Sequence, residues 1–242
     1  MFFLCIAAII ALLADYSFAM RIPWDKMNLA VSGGWGKYDM PNLAGTTYSY
    51  DAGAYPVEFS GHYFSTIGGG PAYSLEMGYD ISKRISLGGA FAYLYGSKIY
   101  NDYLTFMDNY FNRQSPLHNR EFQVSLLAFE FKAEYIITSK PLRLSIGPGI
   151  AWLHGNARLP LLIPLSPPNI GLTHRDFSAS GFGAELSGAA SYKLGRGVSL
   201  RTESGYRYFR TGQLKDENGN RWNKMRINFS GLYLSAGLLL EL

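Results

Sequence analysis

Charged residues are scarce in this chain, and long apolar segments are missing. Only 17% of the 242 residues are charged, and Lys and Arg form no cluster, which argues against a nucleic-acid-binding surface. No apolar run reaches the roughly 20 residues of a transmembrane helix, so a helical membrane protein is excluded. Because 48% of the residues are hydrophobic, the composition also argues against a disordered chain.

Cysteine is nearly absent too, and the one present, Cys5, lies in an N-terminal apolar segment at residues 2–14. Ser17, Phe18 and Ala19 follow as a small-x-small cleavage pattern. We therefore predict a signal peptide at residues 1–19 and a barrel domain at residues 20–242; the alternative is a buried first helix. A mature chain without cysteine fits export through an oxidising compartment.

The abundant feature is an alternation with a period of two, which is typical of β-strands. In residues 227–242, Leu234 and Leu238 fall on an apolar face, while Gly237 and Glu241 fall on a small and mixed face. Such long strands with one apolar face suit a transmembrane barrel. The same alternation predicts seven further strands, at residues 27–38, 71–82, 85–96, 122–138, 142–153, 177–193 and 198–210.

The connections between these predicted strands are alternately long and short. The long ones are residues 39–70, 97–121, 154–176 and 211–224, and the short ones are residues 83–84, 139–141 and 194–197. Outer-membrane barrels have an even number of strands, long loops outside and short periplasmic turns. The sequence therefore predicts an all-β fold: an eight-stranded antiparallel up-and-down transmembrane β-barrel with four long outer loops and three short periplasmic turns.

Aromatic residues on the apolar faces sort into two levels, as at the two interfaces of a membrane. The predicted girdle near the long loops contains Trp35, Tyr73, Tyr93, Tyr95, Trp152, Tyr206 and Tyr208. The predicted girdle near the short turns contains Tyr79, Tyr135 and Tyr192. A soluble barrel has no reason to separate its outward aromatic residues in this way.

With these features the chain resembles the small eight-stranded outer-membrane barrels of bacteria. That group includes the OmpA transmembrane domain, OmpX, OmpW and the neisserial opacity proteins. The resemblance covers residues 27–242 and depends on strand count, loop alternation and girdles rather than on a linear motif. It implies a location in the bacterial cell outer membrane, contact with outer-membrane lipid and lipopolysaccharide, and a monomeric state.

The faces opposite the apolar ones carry charges of both signs, and we expect these side chains to point into the barrel. The predicted lumen charges are Glu76, Glu130, Lys132, Glu134, Arg143, Glu185, Arg201, Glu203 and Arg207. One interpretation is a polar channel or proton path. We favour the other, a salt-bridge network that fills the lumen, because an eight-stranded barrel is only wide enough for side chains and buried charges need partners.

Two of the long loops contain candidate contact residues. Tyr100, Tyr103, Met107 and Phe111 have helical spacing, which predicts an amphipathic helix on the membrane or a segment packed on the barrel mouth. Leu161, Leu162 and Ile163 lie in a proline-rich apolar stretch. An exposed apolar patch of this kind marks a contact with membrane or with a host or cell-surface protein.

Enzymatic, metal and cofactor functions have little support in the sequence. The four histidines are scattered in or beside the predicted loops. His62 and Ser65 match the Ser and His of lipid-modifying barrels in residue type, but their spacing of three residues within one loop is weak evidence for such a site. Asp216 and Asn218 belong to an incomplete calcium-loop pattern. We predict no catalytic, cofactor or metal site, and a structural or adhesive role carried by the loops. A narrow channel for small solutes and an outer-rim lipid A-modifying enzyme are the alternatives.

Overall fold

The computed structural model describes residues 26–38, 49–51, 56–58, 68–100, 103–107, 112–116, 120–139, 141–166 and 169–242. In chain order its strands are β1 (Met27–Gly36), β2 (Ser49–Asp51), β3 (Pro56–Glu58), β4 (Gly70–Asp80), β5 (Ile85–Tyr100), β6 (Tyr103–Met107), β7 (Asn112–Pro116), β8 (Arg120–Thr138), β9 (Leu142–Ser166), β10 (Asn169–Gly195), β11 (Val198–Lys215), β12 (Arg221–Asn228) and β13 (Gly231–Glu241). Among the described residues, no helix is long and apolar enough to cross a membrane.

Eight of these strands close into an antiparallel ring. The order around it is β1, β4, β5, β8, β9, β10, β11 and β13, and β13 pairs back onto β1. The closing register places Leu238 opposite Val31 and Leu234 opposite Trp35. Closure removes the sheet edges, so every membrane-spanning strand has a partner on both sides. The structure confirms the predicted eight-stranded barrel.

The exterior of the ring is apolar, as the alternation predicts. In β13, Leu232, Leu234 and Leu238 are 65%, 63% and 49% exposed, whereas Tyr233 and Leu239 on the opposite face are buried. Phe131 on β8 and Ile150 on β9 are also exposed. Side chains of this kind would be costly to leave in water, and they gain free energy in a hydrocarbon layer. The exposed apolar face is therefore the surface that lipid covers.

Short turns join the strands at one end of the barrel, which we call the short-turn end. They follow β4, β8 and β10; the last is a two-residue turn in which Gly197 has a φ of +73°. A left-handed backbone of this kind favours glycine. The opposite end, the long-loop end, carries the longer connections. There Asp216 Oδ1 accepts hydrogen bonds from the backbone N–H groups of Asn218 and Asn220, at 3.0 and 2.8 Å, and closes a turn at Gly219.

At the long-loop end the structure differs from three sequence predictions. Residues 154–176, predicted as a loop, are mostly strand, because β9 and β10 continue as a hairpin to Ser166 and Asn169. The helical spacing at residues 100–111 was misleading, since β6 there pairs with β7. The last strand begins at Gly231, after a separate β12 that pairs with β11. In each case pairing with a neighbouring segment outweighs the local pattern.

Candidate functional site

The short-turn half of the barrel interior holds a group of buried charges, which we call the charge cluster. It comprises Glu76, Glu130, Lys132, Glu134, Glu185, Arg201, Glu203 and Arg207, each no more than 8% exposed. These side chains come from four strands, β4, β8, β10 and β11, and face inward because they alternate with outward apolar residues. The structure thus brings together eight of the nine predicted lumen charges.

Lys132 is the centre of the charge cluster. Its Nζ lies 2.8 Å from Glu185 Oε1, 2.9 Å from Glu203 Oε1 and 3.3 Å from Glu130 Oε2. Glu76 Oε2 is more distant, at 3.8 Å. One ammonium group therefore connects four strands across the lumen, and its removal would leave several carboxylates facing one another.

Arg201 organises the part of the cluster closer to the short turns. Its Nη2 donates to Glu134 Oε1 at 2.6 Å, to Glu203 Oε2 at 3.1 Å and to Glu76 Oε1 at 3.3 Å. The second oxygen of Glu134 accepts a hydrogen bond from Ser145 Oγ at 2.9 Å. Charge-assisted hydrogen bonds of this length are stronger than neutral ones, so this half of the network is tightly held.

Arg207 forms the boundary of the cluster toward the long-loop end. Its Nε donates to Glu185 Oε2 at 3.0 Å, and its guanidinium carbon lies 3.7 Å from the centre of the Tyr233 ring. The Tyr233 hydroxyl in turn donates to Glu203 Oε1 at 2.6 Å. Tyr233 therefore links a cation above its ring to a carboxylate at its edge, a role the sequence did not reveal.

Acidic groups outnumber basic ones in the cluster, with five carboxylates facing Lys132, Arg201 and Arg207. Glu130 has the fewest contacts, because both of its oxygens are buried without a hydrogen-bond partner among the described residues, although Lys132 lies nearby. Within the described ranges, no group of three or more His, Cys, Asp or Glu side chains is arranged to hold a metal ion.

The ninth predicted lumen charge, Arg143, lies outside the cluster. Its two terminal nitrogens donate to the two oxygens of Asp80, each at 2.9 Å, in a fork-to-fork pair at the short-turn end. The pair is partly exposed, with side-chain exposures of 18% and 30%. Arg143 and Asp80 thus form a second layer of pairing between the cluster and the short turns.

The long-loop half of the interior is filled by apolar side chains instead, which we call the apolar plug. Its members include Leu94, Leu126, Leu153, Phe177, Phe209 and Phe229, all 2% exposed or less. Phe229 packs edge-on against Tyr38, with ring centres 4.6 Å apart, and the Tyr38 hydroxyl donates to the Gly70 carbonyl at 3.1 Å. The interior is therefore filled by charged side chains in its short-turn half and by apolar side chains in its long-loop half.

The plug was missed at the level of the sequence, although the inward face of β8 contains a signal for it. Toward the long-loop end that face consists of Val124, Leu126 and Ala128; it then changes to Glu130 and Lys132. The change from apolar to charged residues along one face marks the depth at which plug gives way to cluster.

The other predicted sites are on the exterior or beyond the barrel. All ten predicted girdle residues are exposed or half-buried and stand on outward positions. Among the loop contact candidates, Tyr100 ends β5, Tyr103 and Met107 bound β6, and residues 161–163 lie in β9. Phe111 lies outside the described residues, as do His62 and Ser65.

No protein family model matches the chain, and no curated protein matches it in sequence. Similarity appears only among solved structures. Neisserial surface protein A is 12% identical, with a TM-score of 0.50, over 90% of this chain and 97% of that one. A likeness at this level of identity concerns the fold, and that fold is a small outer-membrane β-barrel.

Two further solved structures have lower scores. A major outer membrane protein from Thermus thermophilus is 13% identical, with a TM-score of 0.45, over 88% of this chain and 98% of that one. The attachment invasion locus protein of Yersinia pestis, in complex with the heparin analogue sucrose octasulfate, is 9% identical, with a TM-score of 0.40, over 89% and 99%. The predicted location in the bacterial outer membrane agrees with the fold that this chain adopts.

Proposed function

We propose that this protein is a closed outer-membrane barrel whose role, structural or adhesive, is carried by the segments at its long-loop end. The observation that supports this most directly is the filled interior. The charge cluster around Lys132 and the apolar plug around Phe209 lie in series along the lumen, and both are buried. A solute would have to displace ion pairs and aromatic rings in turn, so a transport role has little support.

The hairpin of β9 and β10 is the segment best suited to contact a partner. β8 pairs with β9 only as far as Arg158, and β11 pairs with β10 only as far as Ser178. Beyond these points the two strands pair only with each other among the described residues. From Arg158 to Ser166 the hairpin extends roughly 26 Å beyond its last pairing with β8, at about 3.3 Å per residue.

Each strand of this extension has a backbone edge that the described residues do not cover. Unpaired strand edges are surfaces to which an extended segment of another protein can add. The sequence of the extension is apolar, from Leu159 to Leu165, and includes Pro160 and Pro164. Proline limits pairing at an edge, which restricts strand addition to particular registers. These features favour recognition of another protein at the cell surface over a purely structural role.

Surface display would test the proposal. Bacteria that display the wild-type barrel should be retained on a layer of immobilised host-cell-surface protein, and a variant with residues 160–174 replaced by an Asn-Gly turn, which keeps the pairing of Leu159 with Arg175, should lose most of that retention. Lys83→Ser, in a short turn at the opposite end, is the matched control and should behave like the wild type. Equal retention of the shortened variant and the wild type would contradict an adhesive hairpin.

Planar-bilayer recording separates this proposal from the channel. The refolded wild-type protein should show no steady conductance, because cluster and plug close the lumen in series. A reproducible open state would contradict the closed barrel and restore the channel as the leading function. An enzymatic role has the least support, since the candidate pair His62 and Ser65 depends on sequence spacing alone.

A further inference from the structure

An open groove of about 540 Å³ lies on the outside of the barrel near the long-loop end. Three exposed aromatic side chains, Trp152, Phe182 and Tyr208, form one part of its lining, and Arg210 and Arg226 form another. None of the residues that line the groove is acidic. The groove therefore combines an apolar surface with two cations, and it is separate from the charge cluster and the apolar plug.

The register of the sheet explains how an arginine enters this surface. Phe182 on β10 is paired with Trp152 on β9 and with Arg210 on β11, so the three side chains stand in one row across the exterior. Phe129 continues the row, and its ring centre is 5.6 Å from that of Trp152. Arg210 thus occupies the end of an aromatic row at the level of the girdle near the long loops, to which Trp152 belongs.

Neither arginine has a counter-charge within the described part of the protein. No ion pair involves Arg210 or Arg226 there, and the Nε of Arg210 is buried without a hydrogen-bond partner. A guanidinium on a lipid-facing surface is costly unless it reaches the interface and finds an anion. Among the residues that the structure describes Arg210 has no such anion, and we look for the group that neutralises it in the surrounding membrane.

We propose that the groove binds a phosphorylated membrane lipid, with its phosphate on Arg210 and Arg226 and an acyl chain along Trp152 and Phe182. Guanidinium groups bind phosphate through paired hydrogen bonds, and aromatic side chains at this depth lie beside lipid chains. Ser180 lines the same groove and lies 3.3 Å from His154 Nδ1, so its hydroxyl adds a further polar group. The site depends on the membrane location argued above and is independent of the adhesive role.

Lipid retention by the refolded barrel in maltoside micelles tests the site. Native mass spectrometry would count bound molecules of dioleoyl phosphatidic acid, with dioleoylglycerol as the probe of the same chains without phosphate. We expect the wild type to retain one phosphatidic acid and to bind dioleoylglycerol at least tenfold more weakly. Inorganic phosphate alone should compete only at much higher concentration, because it lacks the acyl chain that contacts the aromatic row.

The arginine variants separate a built site from general attraction to a basic protein. Arg210→Gln and Arg226→Gln should each weaken phosphatidic acid retention by about tenfold, the effect of one lost charge-assisted hydrogen bond. Arg196→Gln, in the short turn at the opposite end, removes the same charge and should leave retention unchanged. Heat-dependent mobility in SDS would verify that each variant has folded.

Three results would overturn the proposal. Equal retention by wild type, Arg210→Gln and Arg226→Gln would show that the arginines hold no lipid phosphate. Equal retention of dioleoylglycerol and phosphatidic acid would show that the groove binds the acyl chains and does not recognise the phosphate. Competition by inorganic phosphate at the same concentration as phosphatidic acid would assign the arginines to a free anion rather than to a lipid.

Discussion

Lys132 and Glu185 make a contact of 2.8 Å between Nζ and Oε1 across a strand that lies between theirs. That strand is β9, and the residue in register with both is Gly149. A methyl group on Gly149 would stand 2.9 Å from Glu185 Cγ and 3.3 Å from the Phe131 carbonyl oxygen. The absence of a side chain at Gly149 is therefore what allows the central ion pair of the barrel to form.

Gly149→Ala should destabilise the barrel by about 1–3 kcal/mol, because the new methyl group overpacks the site and pushes Glu185 away from Lys132. Gly195→Ala is the matched control, since a methyl group there meets nothing within 4 Å. Its effect should lie within about 0.5 kcal/mol. Urea titration of both variants in the same lipid measures the difference, and equal stabilities would show that Gly149 is not needed for room.

Lys132→Met should cost about 3–5 kcal/mol of the free energy of unfolding, because it leaves buried carboxylates without their cation. The control is Lys193→Met, which removes a lysine whose Nζ also lies 2.8 Å from a carboxylate, that of Glu241, but with side chains 45% and 49% exposed. An exposed pair contributes about 0–1 kcal/mol. A Lys132 variant as stable as the Lys193 variant would mean that the charge cluster does not stabilise the barrel.

Phe209→Ala should cost about 3–5 kcal/mol, since it opens a cavity in the apolar plug. Phe131→Ala removes the same side chain from the exterior, where Phe131 is 72% exposed and lipid chains can fill the space. Its cost should be smaller by the contribution of the cavity. Denaturant titration of the two variants compares them directly, and an equal loss of stability would place Phe209 in an interior loose enough to collapse.

Leu238→Arg should destabilise the barrel by about 2–4 kcal/mol in bilayers, because Leu238 lies on the exterior near the middle of β13. Leu232→Arg makes the same change on the same face at the end of β13 near the long loops and should cost about 0–1 kcal/mol. Refolding equilibria in one lipid would measure this dependence on depth. A reversed order would mean that the membrane does not lie where the girdles predict.

The sequence by itself determined which face of each strand points outward. A period of two is a local property, and a residue such as Leu234 keeps its face whatever its neighbours are. The strict alternation of long and short connections was equally local, so strand number and barrel closure followed from it. Both predictions are confirmed because every backbone group inside a membrane needs a partner, which leaves a closed barrel as the arrangement for such strands.

The tertiary structure alone decided what happens at each depth inside the barrel. Whether Lys132 meets Glu203, or Arg201 meets Glu134, depends on the stagger of strands far apart in the chain, which no single strand encodes. The stagger also decided that Arg210 ends an aromatic row. The hairpin extension to Ser166 was hidden for a similar reason: its prolines predict a loop locally, and only the partner strand β10 makes it a strand.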